Sequence, residues 1–415
     1  MPLPKKPVTG MKDILPREME IRNYVLNEVR KTYSAFGFTE IETPAVEHIE
    51  NLTSNQGGEN EKLIFRILKR GEKLDLEGEK TVSDLTDSGL RYDLTLPLSR
   101  FYANHMNDLP SPFKALQVGA VFRADRPQRG RFRQFMQCDI DILGDASSLA
   151  ETELILATSG LLKKLSFKGF TVKISDRRIL KAMASYAGFK EEDLTQVFII
   201  LDKMDKAGKE GVREELISSG YDEGIVDKYL ALFDLSGAGD PLKDLKEKMG
   251  DALPDDVVSN LSEIMGSVNA AGGGGFDLVF DPTLVRGMSY YTGTIFEVTS
   301  GDFGSSIAGG GRYDGMVERF TGNAVPACGF SIGFERIITI LLENGFEIPG
   351  EGRKTAFLID KRIGGERLSA IMKEAADKRN EGYTVLCVKM MKNKKFQKDS
   401  LEKAGYAEIR DFYGD

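Results

Sequence analysis

Histidine and cysteine are scarce in this sequence. Its 415 residues include two histidines, His48 and His105. A catalytic triad that uses histidine, or a zinc site built on several histidines, is therefore almost excluded. The three cysteines, Cys138, Cys328 and Cys387, lie far apart and have no partners at the spacing of metal ligands, which fits a reducing cytoplasm.

Long apolar segments are missing as well. No continuous apolar stretch approaches the roughly 18 residues that a membrane-spanning helix needs. The first six residues lack the apolar block of a secretory signal. We therefore expect a cytoplasmic protein that does not cross a membrane.

The composition is that of a globular protein, with 41% hydrophobic and 29% charged residues. At roughly 150 residues per domain, the length suggests two or three domains. The formal net charge is −8, so the field of the whole molecule does not attract polyanions. A nucleic-acid partner would need a local basic patch.

Hydrophobic periodicity indicates strands and helices in the first third of the chain. A helical period over residues 21–36 predicts a long helix, and residues 38–44 alternate as a half-buried strand does. Residues 69–89 are charged and have no apolar period, so we interpret them as a solvated loop or hairpin tip. Two alternating segments, 115–123 and 131–143, predict an antiparallel hairpin.

The remainder changes character twice. Ser148 and Glu151 form a capping pair that predicts the start of a helix. The stretch from about 167 to 269 is mostly helical, acidic and rich in lysine, and the glycine run that follows it predicts a hinge. Strands resume at residue 276. After Pro349 we predict a strand, a helix and a second strand, with another helix near residues 400–404.

These patterns predict an α+β fold in which helices flank an antiparallel sheet. We expect a core formed by residues 1–166 and 273–348, a helical insertion at 167–272 and a small α/β segment at 349–415.

Arginine is concentrated near the predicted hairpin. Five arginines occupy the eleven positions from 123 to 133: Arg123, Arg126, Arg129, Arg131 and Arg133. A solvated basic face usually explains such a run. Here Gln137, Asp139 and Asp141 alternate with apolar residues, which indicates a polar face directed to water, a cleft or a ligand. Arginine is well suited to bidentate recognition of carboxylate or phosphate.

Further polar clusters lie elsewhere in the chain: Asp93 and Thr95, residues 284–293 with Arg286, Tyr290 and Tyr291, the glycine-rich residues 308–315, and residues 329–336 ending at Arg336. No segment has the phosphate-loop pattern or a Gly-x-Gly-x-x-Gly that opens a helix after a strand. The residues alone therefore predict a cleft that could hold an anion and an amine together, and they do not name the substrate.

Taken together, the motifs resemble those of the histidyl-tRNA synthetase family of class II aminoacyl-tRNA ligases. The resemblance rests on residues 10–16, 90–95, 121–144 (motif 2), 284–297 and 309–315 (the two histidine signatures) and 329–336 (motif 3). It implies a class II antiparallel sheet and a homodimer. It also implies a reaction in which L-histidine and ATP give histidyl-adenylate, whose histidyl group passes to tRNA(His). Mg²⁺ is expected with the ATP, and we expect no metal site built from histidine or cysteine clusters.

The resemblance also implies roles for the arginines. Arg123 would bridge the substrate carboxylate and the α-phosphate, and Arg286 would act on the α-phosphate from the other side. Both are expected to be catalytic and also to belong to the histidine-binding residues. Arg336 would hold the γ-phosphate end of ATP. Arg126 and Gln128 would face the acceptor end of the tRNA, although a loop arginine is more often simply solvated.

The histidine would be held by a second group of side chains. By resemblance, Asp93 and Thr95 would receive the α-ammonium, with Gln137 near the carboxylate and amino end. Asp141 and Tyr291 would bind the imidazole, with Tyr290 beside them. A neutral imidazole offers one donor and one acceptor, so a carboxylate and a phenol together can read both. For Asp139 a structural hydrogen bond is the expectation.

Two departures from the family matter. Ser289 stands where the family often has aspartate. The C-terminal segment looks like a shortened anticodon-binding domain without the further strand and helix of the family, and its Lys392–Lys398 stretch either contacts RNA or is a solvated face. The alternative is therefore a histidine-sensing regulatory paralogue of the ATP phosphoribosyltransferase system. Retention of Arg123, Arg286 and Arg336 favours the ligase, because a sensor needs no clamp for a triphosphate.

Overall fold

The computed structural model describes residues 3–53, 60–77, 81–234, 240–285, 291–301, 305–350 and 352–414. Backbone contacts divide the chain into two compact units. Unit 1 contains residues 1–14 and 25–341, and unit 2 contains residues 15–24 and 342–415.

The described helices are α1 (Pro16–Ala35), α2 (Ile49–Thr53), α3 (Val82–Leu85), α4 (Thr95–His105), α5 (Ser148–Lys164), α6 (Arg177–Ala187), α7 (Leu194–Leu201), α8 (Met204–Ser218), α9 (Glu223–Ala231), α10 (Pro241–Met249), α11 (Asp255–Ala271), α12 (Gly315–Thr321), α13 (Phe334–Glu343), α14 (Gly365–Asn380) and α15 (Lys394–Lys403). Short 3-10 turns lie at Asn60–Leu63, Gly71–Lys73, Glu191–Asp193 and Gly250–Ala252.

The described strands are β1 (Thr39–Ile41), β2 (Val46–His48), β3 (Arg66–Leu68), β4 (Thr86–Leu90), β5 (Phe113–Phe122), β6 (Gln134–Leu143), β7 (Phe170–Asp176), β8 (Phe276–Phe280), β9 (Thr294–Ser300), β10 (Ser305–Arg312), β11 (Ala327–Ile332), β12 (Lys354–Ile359), β13 (Thr384–Lys389) and β14 (Glu408–Phe412).

Unit 1 is built on a large sheet. Within the described ranges it has eight strands in the order β1-β5-β6-β11-β10-β9-β7-β8. The inner pairs are antiparallel, whereas β1–β5 and β7–β8 are parallel. The predicted hairpin is confirmed, since β5 pairs with β6 from Phe113 opposite Leu143 to Phe122 opposite Gln134. The expected sheet with flanking helices is confirmed too.

The helix α5 packs against β6 and β11, and α11 packs against α5. Side chains such as Leu154 and Leu161 of α5 and Ile140 of the sheet are fully buried there. The helices α6–α11 all lie between β7 and β8 in the chain. The range 167–272, expected to be a helical insertion, also contains β7, which pairs with β8 and β9 of the large sheet.

Residues 69–89 were interpreted as a solvated loop or hairpin tip, and the antiparallel pairing of β3 with β4 confirms the hairpin. The last residues of the range differ from the prediction, because they belong to β4 itself. Thr86–Leu90 forms β4, the middle strand of a sheet ordered β2-β4-β3. A capping box between Thr81 and Asp84 also starts the short helix α3. β4 forms without an apolar period because backbone hydrogen bonds to β2 and β3 stabilise both of its edges. Leu52 and Ile64 also pack over Gly89 in this strand.

The capping pair proposed for α5 is also wrong. Ser147 is the N-cap residue, its side chain makes no capping hydrogen bond, and its hydroxyl donates to Asp145. The carboxylate of Glu151 instead accepts two hydrogen bonds of 2.7 Å from Arg312. An arginine 161 positions away in sequence outcompetes the local backbone donor because both charged groups are buried.

In unit 2 the predicted strand, helix and strand are confirmed as β12, α14 and β13, and the further helix as α15. A third strand, absent from the sequence prediction, is also present. β14 pairs in parallel with the free edge of β12, so the described sheet has the order β13-β12-β14. The guanidinium of Arg410 on β14 lies over the Phe357 and Phe412 rings, which anchors this short strand. No helix in the described part of the chain meets the length and apolarity that a bilayer crossing requires.

Candidate active site

The site lies on one face of three adjacent strands, β6, β11 and β10. Directly paired residues share a face of a sheet, and Asp141 is opposite Gly329, which is opposite Gly311. One step further along, Asp139 is opposite Ser331, which is opposite Gly309. Carboxylates on β6 are thus opposite glycines and a serine on β10 and β11. Because the glycines have no side chains, space is left above this face of the sheet.

Two adjoining hollows occupy that space. The first, which we call the inner pocket, has a volume of about 50 Å³ and is lined by Asp93, Thr95, Arg123, Gln137, Asp139, Asp141, Tyr291, Gly309, Gly310, Tyr313, Gly329, Phe330 and Ser331. The second, the outer cavity, has a volume of about 320 Å³ and includes Asp125, Arg131, Phe135, Glu335 and Arg336 in its wall. Arg123, Gln137, Tyr291, Gly309 and Ser331 line both hollows.

Arg123 is held at the junction of the two hollows by its neighbours. Its Nε donates to the carbonyl of Tyr92 at 2.8 Å, and its guanidinium lies 5.1 Å from the centre of the Phe135 ring. The position follows from the sequence, because Arg123 comes directly after β5, where the chain leaves the sheet. The residue can therefore direct positive charge to a ligand in either hollow.

Asp141 forms the floor of the inner pocket. Its Oδ1 accepts a 2.6 Å hydrogen bond from the hydroxyl of Tyr313, and its side chain is buried. Gly329 makes room for this carboxylate, since a Cβ atom at that position would lie 1.9 Å from Asp141 Oδ1.

Three buried oxygens of this pocket have no hydrogen-bond partner within the described residues: Asp93 Oδ2, Gln137 Oε1 and Asp141 Oδ2. The other oxygen of Asp93 accepts from the backbone N–H of Leu96 at 3.2 Å. Buried polar atoms are normally hydrogen-bonded, so three unpartnered acceptors beside a hollow indicate a ligand that carries donors.

Burial also perturbs the acids of the pocket. Desolvation raises the pKa of Asp93, with the Leu96 N–H opposing the shift. Desolvation raises the pKa of Asp141 far more, and nearby Asp139 adds to the shift. The pKa of Asp139 is raised to about 7, first by desolvation and further by Asp93, against hydrogen bonding from Ser331. A cationic ligand would relieve this concentration of buried negative charge.

Gln137 lines both hollows, and its amide nitrogen is hydrogen-bonded to other side chains of the protein. Nε2 lies 3.2 Å from Asp139 Oδ2 and 3.1 Å from Ser331 Oγ. At the far side of the outer cavity, Arg336 donates to the carbonyl of Ser306, and Glu335 Oε1 accepts from the backbone N–H of Met136 at 3.1 Å.

The structure brings most of the predicted site residues together. Those that line the hollows are Asp93, Thr95, Arg123, Gln137, Asp141, Tyr291 and Arg336. Arg126 and Gln128 are exposed on the loop between β5 and β6. Arg286, Ser289 and Tyr290 lie outside the described residues.

Sequence reasoning missed Tyr313, Ser331 and the role of Gly329. The signal for Tyr313 was its place at the end of the glycine-rich stretch, immediately after Arg312. Arg312 itself has a structural role, since its bidentate pair with Glu151 joins the end of β10 to α5. Ser331 carries no signal in a single sequence, because a serine on a strand is commonplace.

The large sheet thus carries an acidic pocket beside a cavity with Arg123 and Arg336 in its wall. Residues 10–337 match the model of the histidyl-tRNA synthetase family. The histidine–tRNA ligase of Leifsonia xyli subsp. xyli is 43% identical over 98% of this chain and 95% of its own length. The chain belongs to the histidyl-tRNA synthetase family.

Solved structures share the fold of this chain. The histidyl-tRNA synthetase of Nostoc sp. PCC 7120 superposes with a TM-score of 0.80 at 27% identity, covering 98% of this chain and 90% of that one. A protein of Bacillus halodurans described as an ATP phosphoribosyltransferase regulatory subunit/histidyl-tRNA synthetase has a TM-score of 0.79 at 20% identity, and the two chains cover each other completely. At that identity the second likeness shows the fold alone.

Proposed function

We propose that this protein is a histidine–tRNA ligase that activates L-histidine with ATP and transfers the histidyl group to tRNA(His). The observation that carries the proposal is the position of Arg123, which lines both the acidic inner pocket and the larger outer cavity. A reaction between an amino-acid carboxylate and the α-phosphate of ATP needs one cation at the point where the two anions meet.

The inner pocket suits histidine. Asp93 and Thr95 would receive the α-ammonium, and the unpartnered Asp93 Oδ2 supports that role. Asp141, oriented by Tyr313, would accept from one imidazole nitrogen while the Tyr291 hydroxyl contacts the other. Tyr290 would lie beside them. A site with buried polar partners rejects amino acids that cannot satisfy them, so we propose that no editing is required.

The outer cavity would take ATP. Arg123 would contact the α-phosphate, Arg336 the γ-phosphate end, and Arg286 the α-phosphate from the opposite side. Mg²⁺ would neutralise phosphate charge, and it is commonly held by one or two carboxylates together with phosphate oxygens. Glu335 and Asp125 in the cavity wall are the carboxylates that fit this requirement.

We further propose a cytoplasmic homodimer, with a core formed by residues 1–166 and 273–348, a helical insertion at 167–272 and an anticodon-binding-like segment at 349–415. Arg126 and Gln128, exposed on the loop between β5 and β6, would face the tRNA acceptor end. Within the Lys392–Lys398 stretch, Lys398 is paired with Asp411 at 2.9 Å, so RNA contacts would come from the other lysines.

The second candidate is a histidine-sensing regulatory paralogue. The likeness to the Bacillus halodurans protein concerns the fold alone. An inner pocket by itself would serve a sensor, whereas an adjoining cavity with Arg123 and Arg336 in its wall suits a triphosphate. This difference favours the ligase.

Histidine-dependent exchange of pyrophosphate into ATP tests the proposal, followed by charging of tRNA(His). Exchange and charging are the expected results. Histidine binding without exchange would identify a sensor, and exchange without charging would identify an enzyme that only activates histidine.

Arg286→Ala tests whether Arg286 stabilises the transition state of adenylate formation. Exchange should be abolished while histidine binding stays largely intact, because the guanidinium would act on charge that develops at the α-phosphate. An equal loss of both, measured by exchange kinetics and calorimetry, would contradict that role.

A further inference from the structure

The side-chain amide of Gln137 faces the inner pocket with only one of its two ends free. Its Nε2 carries two hydrogens, and two acceptors surround it, the carboxylate of Asp139 and the hydroxyl of Ser331. Its Oε1 is buried and has no hydrogen-bond partner among the described residues. Gln137 therefore presents an acceptor, and no donor, to a ligand.

The strand register explains why the arrangement is rigid. Gln137 and Asp139 are two residues apart on β6 and share a face of the sheet, and Ser331 on β11 is directly opposite Asp139. Gly309 on β10 is opposite Ser331 and adds no side chain. Three polar groups thus meet on neighbouring strands of the sheet interior, where backbone movement is small.

The carboxylate of Asp139 also excludes the reversed amide. An ionised carboxylate only accepts hydrogen bonds. If the amide were turned over, Oε1 would face the Asp139 oxygens, and two acceptors would be in contact in a buried site. Of the charged groups that face Asp139, Asp93 and Asp141 disfavour its ionised form and Arg123 favours it. A bound α-ammonium adds a second positive charge, so the carboxylate is ionised in the complex with the amino acid.

We propose that Asp139 and Ser331 are positioning residues that lock the Gln137 amide, so that its oxygen accepts a hydrogen bond from the α-ammonium of the bound amino acid. The substrate carboxylate is then left to Arg123, the group with donors at the same junction. This inference rests on the proposed function and assigns a role to Asp139 beyond a merely structural hydrogen bond.

Two histidine analogues distinguish a contact of Gln137 with the α-ammonium from a contact with the carboxylate. Histidinol keeps the ammonium and lacks the carboxylate, whereas imidazolepropionate keeps the carboxylate and lacks the ammonium. Asp139→Asn allows both orientations of the Gln137 amide and removes a charge-assisted hydrogen bond. We expect it to weaken histidine and histidinol by about tenfold and to leave imidazolepropionate unchanged, as measured by calorimetry on the full chain. Ser331→Ala should give the same pattern with a smaller effect of about threefold.

A double-mutant cycle with Gln137→Leu tests whether Asp139 acts through Gln137. If it does, adding Asp139→Asn to Gln137→Leu changes histidine affinity no further. Additive losses would overturn the proposal, as would a loss of imidazolepropionate binding with histidinol unchanged. Thermal unfolding of each variant shows whether it is folded. If the unaltered protein bound neither histidine nor histidinol, the proposed function itself would be refuted.

Discussion

Gly329→Ala tests how the inner pocket positions Asp141, the carboxylate proposed to accept a hydrogen bond from the imidazole. The backbone of Gly329 is not in the left-handed region, so alanine can adopt its conformation and the effect comes from the new methyl group. That methyl would lie 1.9 Å from Asp141 Oδ1 and 3.2 Å from Tyr313 Cε1. The first distance is incompatible with the present position of the carboxylate, so Asp141 must rotate away, whereas the second requires only a small shift of the Tyr313 ring.

Rotation of Asp141 breaks its 2.6 Å hydrogen bond from Tyr313. The imidazole also loses the hydrogen bond proposed from it to Asp141, and a hydrogen bond to a charged group is worth about 1.5–3 kcal/mol, which corresponds to roughly 10- to 150-fold in affinity. We therefore expect the KM for histidine in pyrophosphate exchange to rise by at least about tenfold. Binding of ATP alone should be unchanged, because Gly329 does not line the outer cavity.

The matched control is Gly160→Ala in α5, where a Cβ atom meets nothing within 4 Å. This variant should keep the histidine KM and gain a little stability, since alanine favours a helix over glycine by about 0.5–1 kcal/mol. A folded Gly329→Ala protein whose histidine KM rose less than about threefold would refute the assignment of Asp141 to the imidazole.

Two predictions concern stability. Glu151→Gln removes the buried carboxylate that pairs with Arg312 and leaves the more exposed Asp314, at 3.4 Å, as its counter-charge, so the free energy of unfolding in urea should fall by about 3–5 kcal/mol. Glu191→Gln, which breaks the exposed pair with Lys181, is the control and should change little; equal small effects would contradict the role of the buried pair. The second prediction concerns pH. Since the pKa of Asp139 is raised to about 7 from 3.8, the native protein keeps a proton that the unfolded chain loses. The ligand-free stability contributed by this group should therefore fall as pH rises from about 4 to 7. Urea titrations across that range give the free energy of unfolding at each pH. For Asp139→Asn this free energy should fall less steeply with pH than for the unaltered protein. An equal pH dependence in the two proteins would show that Asp139 is not the group that titrates.

Local pattern predicted much of this architecture. The alternation in residues 115–123 and 131–143 predicted the hairpin that became β5 and β6, because a long half-buried strand needs a period of two. The strand–helix–strand order of unit 2 was predicted in the same way. The alternation of Gln137, Asp139 and Asp141 predicted a polar face directed to water, a cleft or a ligand, and the resemblance to the family assigned Gln137 and Asp141 to the substrate pocket.

Features that depend on distant partners were not predictable in this way. The polar sequence of β4 becomes a strand only because β2 and β3 pair with both of its edges. Glu151 resembled a capping residue until Arg312 supplied a buried counter-ion. In each case a long-range interaction outweighed a weak local preference.

The sequence by itself determined which chemical groups are available: carboxylates at alternate positions of β6, arginines at the ends of strands, and glycines where side chains would block a pocket. Only the tertiary structure decided which of these groups meet. The pairing of β6 with β11 places Ser331 opposite Asp139 and thereby sets which end of Gln137 is free. The physical reason is that strand register fixes neighbours across the sheet through backbone hydrogen bonds, which no side-chain pattern along a single strand contains.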